Sequence, residues 1–299
     1  MSFTGALTAI VTPFSNGRID EDALRRLVET QIQAGIDGLV PCGTTGESPT
    51  LSHAEHAEVV AKVVEATKGR VPVLAGAGSN CTREAIDLAR ACREAGASGT
   101  LQITPYYNKP TQEGLVAHFT AIADAVDLPM VLYNVPGRTG VDLRPETVAR
   151  LARHPNIVGI KEATGDMTRV PELRRSCGPD FSILSGDDAT VLPLLACGGD
   201  GVISVTANVV PGRMARLCAA ARRGDLETAR RLHDEHLPLT RALFAVTNPV
   251  PVKAVLAMLG RIEDELRLPL VPLDEDHPVR SRLRELVVEL GLATATTPA

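Results

Sequence analysis

The chain has 299 residues, a formal net charge of −5 and an apolar share of 44%, supplied mainly by Ala, Val, Leu and Ile. That length and composition provide a large buried core and exclude a disordered chain. Aromatic residues make up 3%, with no Trp and no Lys/Arg block, so nucleic acid, which needs basic patches and stacking platforms, is not an expected partner.

Met1–Leu7 has no basic segment, long apolar run or small-residue cleavage site, so no secretory signal is expected. No apolar run approaches the roughly 18 residues of a membrane span. The six cysteines (42, 81, 92, 177, 197 and 218) form no C-x-x-C pair and read as free thiols in a reducing cytoplasm. His53 and His56 lie three apart without an H-E-x-x-H frame, and no metal site is expected.

In chain order, eight β-branched apolar runs recur: Ala6–Pro13, Gly38–Cys42, Val71–Gly76, Gly99–Thr104, Pro129–Asn134, Ile157–Lys161, Phe181–Ser185 and Gly201–Thr206. Nearly continuous apolar runs suit strands buried on both faces of a parallel sheet. Helical segments fall between them. Asp20 can cap a helix burying Leu24, Leu27, Val28 and Ile32. Ser52 and Glu55 have capping-box spacing, ahead of a face of Ala57, Val60, Ala61 and Val64. Thr82 can open a helix burying Ile86, Leu88 and Ala89, and Thr111 another through Ala125. Repeated strand–helix units of about 20–33 residues predict an α/β fold, a (β/α)8 TIM barrel, over residues 1–224. A doubly wound sheet is the alternative, but no G-x-G-x-x-G follows the first strand. Residues 225–299 lack strand signal. Leu226–Phe244, Pro249–Leu259 and Pro278–Leu290 predict a C-terminal helical subdomain, and Thr294–Ala299 a frayed tail.

Active sites of such barrels lie at the C-terminal strand ends. There Lys161 follows Ile157-Val158-Gly159-Ile160, a run that reads as fully buried. Burying an ammonium is costly unless it is paired or neutralised. One reading pairs it with Glu162 or Asp187. The other makes it a Schiff-base nucleophile. At the ordinary pKa near 10.4 only about one amine in 2500 is neutral at pH 7, and an apolar interior would raise that fraction. Imine chemistry moves protons, and the hydroxyls of Tyr133, Tyr107 and Thr44 stand at strand ends where they could relay them. Arg138, in a Gly-rich loop, has the planar fork for a carboxylate. Thr44 and Thr45, between Gly43 and Gly46, offer donors for a second carboxylate. A phosphate cradle is the rival reading, but the P-loop lysine pattern is missing. These parts suit a keto-acid substrate.

The strings Gly43-Thr44-Thr45-Gly46-Glu47-Ser48, Tyr106-Tyr107-Asn108, Tyr133-Asn134-Val135-Pro136-Gly137-Arg138-Thr139-Gly140, Gly159-Ile160-Lys161-Glu162-Ala163-Thr164 and Gly201-Val202-Ile203-Ser204-Val205-Thr206-Ala207-Asn208 closely resemble the dihydrodipicolinate synthase (4-hydroxy-tetrahydrodipicolinate synthase) family. The likeness runs from Phe3 to about Leu292. It implies a lyase that condenses pyruvate with L-aspartate 4-semialdehyde in diaminopimelate and lysine biosynthesis. Lys161 would form the imine, and Tyr133, Thr44 and Tyr107 would relay protons, with Tyr107 reaching into a neighbouring subunit. Thr45 and the Ile203 backbone would hold pyruvate, Arg138 the semialdehyde carboxylate, and Gly186 is a further substrate-binding expectation. The resemblance implies no metal or organic cofactor and a homotetramer built as a dimer of dimers. It also implies an allosteric L-lysine site at Ser48, Pro49, His53, His56, Asn80, Glu84 and Tyr106. Pro49 replaces a small alanine seen in some relatives and lacks an N–H. The alternatives are a related aldolase acting on a sugar-derived 2-keto acid and, from another class, a non-catalytic amino-acid sensor barrel.

Overall fold

The structure is a computed structural model and describes residues 2–292; the expected frayed tail lies outside the described residues. The apolar runs become short parallel strands: β1 (Gly5–Thr8), β4 (Gly38–Leu39), β5 (Leu74–Gly76), β6 (Gly99–Ile103), β7 (Met130–Asn134), β8 (Ile157–Glu162), β9 (Ser182–Ser185) and β10 (Gly201–Ser204). They pair in the order β4-β1-β10-β9-β8-β7-β6-β5. A parallel bridge from Leu39 to Val73 joins the two ends of that order and closes the barrel. Of the expected Ala6–Pro13 strand only the first part is extended sheet, and a small antiparallel hairpin, β2 (Phe14–Ser15) with β3 (Arg18–Ile19), follows that run.

Alternation along the strands makes two cores. Leu7, Leu101, Val131, Tyr133, Leu184 and Ile203 pack inside the barrel. Ala6, Leu132, Ile160, Ile183 and Val202 face the surrounding helices. Tyr133 and Lys161 are Cα partners across β7 and β8, so the register itself sets them side by side.

The helices that matter to the site are α1 (Glu21–Gln33), α2 (His53–Thr67), α3 (Thr82–Glu94), α4 (Gln112–Ala125) and the short α5 (Pro136–Thr139). Asp20 caps α1, accepting from the Ala23 N–H at 2.9 Å. Its buried face has Gln31 where Ile32 was expected, and Ile32 is half-buried. Gln31 is held by the Thr8 hydroxyl and the Ala207 carbonyl. The Ser52–Glu55 capping box forms as expected. The buried face of α2 is His56, Val59, Val60 and Val63, rotated from the expected one, and Ala61 is exposed. Larger valines fill the sheet-facing groove better than Ala57 and Ala61 would. In α3 the buried face is Ala85, Ala89 and Cys92, while Ile86 and Leu88 are half-buried. Cys81, not Thr82, occupies the cap, because the Thr82 hydroxyl meets His118 Nδ1 on α4 at 2.9 Å. The C-terminal segments fold as α10 (Leu226–Leu243), α11 (Val250–Met258) and α12 (Pro278–Glu289), after α9 (Pro211–Arg222).

Candidate active site and adjoining pocket

Lys161 lies one residue before the end of β8, where its neighbours in register are Tyr133 and Leu184. Its side chain is 6% exposed, and Nζ lies 4.2 Å from the centre of the Tyr133 ring. The carboxylates that could have neutralised it are occupied elsewhere. Glu162 faces outward, pairs with Arg169 at 3.2 Å and accepts from Asn134 and the Thr164 N–H. Burial pushes the Glu162 carboxyl up, against the opposing pull of Arg169. Asp187 accepts from the Ala189 N–H. Among the described residues, neither carboxylate pairs with Lys161, so the ion-pair reading of this lysine has no partner to offer.

A cavity of about 340 Å3 opens over Lys161. Thr44, Thr45, Tyr133, Arg138 and Lys161 line one end. Thr45 is buried, and its hydroxyl oxygen accepts from the side-chain amide of Asn248 at 3.0 Å. Arg138 sits on α5 beside Thr139, and its guanidinium donates to the Asn248 carbonyl at 3.4 Å. Ile203 is buried in the barrel interior. Gly186 does not line the cavity, but it has a steric role. A Cβ there would lie 2.6 Å from Ala163 Cβ and 3.1 Å from Lys161 Cε, so only glycine leaves the lysine stem its space.

The other end of the same cavity is lined by Ser48, Pro49, His53, His56, Glu84 and Tyr106. His53 meets Glu84 at 2.9 Å, and the Ser79 hydroxyl also donates to Glu84. These donors, Ser79 foremost, hold the Glu84 carboxyl below its usual range. His56 is buried and donates through Nε2 to the Gly76 carbonyl at 2.7 Å. Burial pushes its pKa down, so the ring is neutral at pH 7. Its Nδ1 is then a buried acceptor with no partner among the described residues. Asn80 stays outside the cavity, donating to the Tyr106 carbonyl at 3.2 Å.

Tyr107 is the one residue of the expected relay that this chain does not bring to its own cavity. It is 90% exposed, in a left-handed backbone conformation with φ 72°.

The segment linking the two ends, residues 44–50, is fixed from the C-terminal part of the chain. Glu47 and Lys253 form an ion pair at 2.6 Å, with both side chains out of contact with solvent. The Arg267 N–H donates to the second Glu47 oxygen, and Lys253 also donates to the Thr12 carbonyl. A buried pair needs such extra bonds to offset its desolvation. Sequence reasoning missed Asn248, Lys253 and Arg267. Asn248 and Lys253 flank Pro249 and Pro251 at the start of a segment that reads as plain helix.

Among the described residues, no group of three or more His, Cys, Asp or Glu side chains is arranged to hold a metal ion, and no helix is long and apolar enough to cross a membrane.

Comparison with known proteins agrees with this geometry. A 4-hydroxy-tetrahydrodipicolinate synthase of Nitratidesulfovibrio vulgaris is 62% identical over 293 residues, covering 98% of this chain and all of the relative. The dihydrodipicolinate synthase structure from Thermotoga maritima superposes with a TM-score of 0.95 at 47% identity, covering 98% of this chain and all of that one. A chloride-inhibited synthase from Acinetobacter baumannii, complexed with pyruvate, gives 0.95 at 46% identity, with the same coverage. One from Cyanidioschyzon merolae with lysine bound gives 0.94 at 42%, covering 97% of this chain and 99% of that one. The family model described as the dihydrodipicolinate synthetase family matches residues 2–287, and the chain belongs to that family.

Proposed function

We propose that this chain is a Schiff-base lyase that condenses pyruvate with L-aspartate 4-semialdehyde to give 4-hydroxy-tetrahydrodipicolinate. The observation that carries the reading is Lys161: a buried amine without a carboxylate partner, 4.2 Å from the Tyr133 ring, at the floor of a cavity with two threonines and an arginine. The amine attacks the pyruvate C2 carbonyl, and water leaves to form the imine. Loss of a C3 proton gives the enamine, whose carbon attacks the aldehyde. The amino group of the second substrate then adds to C2 and displaces Lys161, closing the ring and restoring the free amine. Tyr133 and Thr44 carry the protons, with a Tyr107 hydroxyl supplied by a neighbouring copy in a homotetramer; its exposure in the single chain favours that assignment. Thr45 and the Ile203 backbone hold the pyruvate carboxylate, and Arg138 that of the semialdehyde. No metal or organic cofactor takes part.

The far end of the cavity offers the Glu84 carboxylate, Ser48, His53 and Tyr106 at the scale of an amino acid. We infer that it takes L-lysine as a feedback inhibitor. Glu84 would pair with an ammonium of that ligand.

Borohydride treatment with pyruvate, followed by intact and peptide mass, tests the core of the reading. One adduct on Lys161 is expected, and turnover of the semialdehyde in a reductase-coupled assay identifies the second substrate. Absence of the adduct, or its location on another lysine, defeats the Schiff-base reading.

A further inference from the structure

Asn248 does not line the cavity, yet it contacts two of the residues that do. Its side chain is 95% buried behind Thr45 and donates through Nδ2 to the Thr45 hydroxyl oxygen at 3.0 Å, across 203 residues of chain. Its backbone carbonyl accepts from Arg138 at 3.4 Å. Among the described residues, its buried Oδ1 has no partner.

A hydroxyl has one proton and two acceptor positions. When Asn248 occupies an acceptor position of Thr45 Oγ1, the Thr45 proton has no use on that side. It is left to point toward the cavity that Thr45 lines with Lys161. We propose that Asn248 is a positioning residue: its amide sets the Thr45 hydroxyl as a donor toward the carboxylate of the keto acid that Lys161 attacks. The inference rests on the Schiff-base reading given above. It assigns the orienting role to the side chain alone, because the backbone carbonyl that meets Arg138 survives any substitution. The Asn248 side chain therefore serves the keto-acid subsite, and its substitution leaves the carbonyl contact with Arg138 in place.

Loss of one well-aimed hydrogen bond to a charged group weakens binding by about tenfold, equivalent to about 1.4 kcal/mol. Asn248→Ala is thus expected to raise the half-saturating pyruvate concentration by about tenfold in borohydride trapping and in steady-state turnover. The value for the semialdehyde stays within about twofold. Asn248→Asp, nearly isosteric, decides the amide orientation and also serves if the alanine variant does not fold. A carboxylate takes the Thr45 proton and adds a negative charge beside the keto-acid carboxylate, so pyruvate affinity should fall further. Thr45→Val combined with Asn248→Ala should be no worse than Thr45→Val alone, since the amide acts through that hydroxyl. A wild-type protein that gives no adduct takes the Schiff-base reading down and this inference with it. A normal wild-type adduct with unchanged pyruvate affinity in Asn248→Ala or Asn248→Asp overturns the inference alone. So do additive losses in the double variant, or an equal loss for both substrates.

Discussion

At the scale of single residues, the chemistry depends on what is left unpaired. Among the described residues, Lys161 has no carboxylate partner because Glu162 turns outward to Arg169, and His56 keeps a buried, unpartnered Nδ1 because its other nitrogen is spent on Gly76. Glu84 is the charged anchor of the proposed inhibitor pocket. Its Ser79 and His53 partners favour the ionised form at neutral pH. Glu84→Gln should therefore raise the L-lysine concentration needed for half-inhibition by about tenfold, the scale of one charge-assisted bond, while leaving half-saturating pyruvate unchanged. Inhibition curves for the two proteins that superpose would remove Glu84 from the pocket. Lys161 and Tyr133 were legible in the sequence because a strand run ending in a polar group at a barrel's C-terminal rim has few structural uses. Asn248 was not. Its partner Thr45 lies 203 residues away, and an asparagine before a proline ordinarily reads as a turn.

At the scale of elements, the segment carrying Thr44 through Thr50 is short of regular structure and is fixed by what packs on it. Arg267 donates to Thr50, Gly17 and both oxygens of Glu55 at the start of α2. The guanidinium, with the Ser52 N–H second, pulls the Glu55 carboxyl from its usual 4.5 to about 2. A carboxyl whose folded pKa is depressed contributes stability that is complete above its unfolded value and lost as pH falls through the folded one. Stability should thus drop between about pH 4.5 and pH 2. Arg267→Met should lower it at neutral pH and flatten that acid slope, as urea titrations across the window would measure; an unchanged slope would assign the acid loss to other carboxyls. Helix existence was readable from caps such as Asp20 and Ser52, which act locally. Which face turns inward was harder to read. In α3 the sheet side takes small Ala85, Ala89 and Cys92 in preference to the larger Ile86 and Leu88, a choice made by the space available and not by hydrophobicity.

At the scale of the whole molecule, one cavity joins the amine proposed to do the chemistry to the pocket proposed for regulation, and Tyr107, proposed for the relay, points out of the chain altogether. If Tyr107 serves a neighbour's site, two defective chains can repair each other. Lys161→Ala and Tyr107→Phe proteins, each weakly active alone, should regain activity after unfolding and refolding together. The reason is that some Lys161-bearing sites then receive an intact Tyr107. A mixture no more active than the sum of its parts would place Tyr107 outside catalysis. The barrel itself was readable because its strand–helix alternation repeats locally. The contacts that finish the site were not, because they run between the first quarter of the chain and its last. Those contacts, Asn248 to Thr45, Lys253 to Glu47 and Arg267 to Glu55, also order events during synthesis. A nascent chain that has released residues 1–244 from the ribosome has every barrel strand, Thr44 and Thr45, with the Thr12 hydroxyl already on the Gly46 carbonyl, but lacks the partners of Thr45, Glu47 and Glu55. A chain cut short before Asn248 would therefore lack all three of these contacts, and with them the groups that brace the proposed keto-acid end of the cavity.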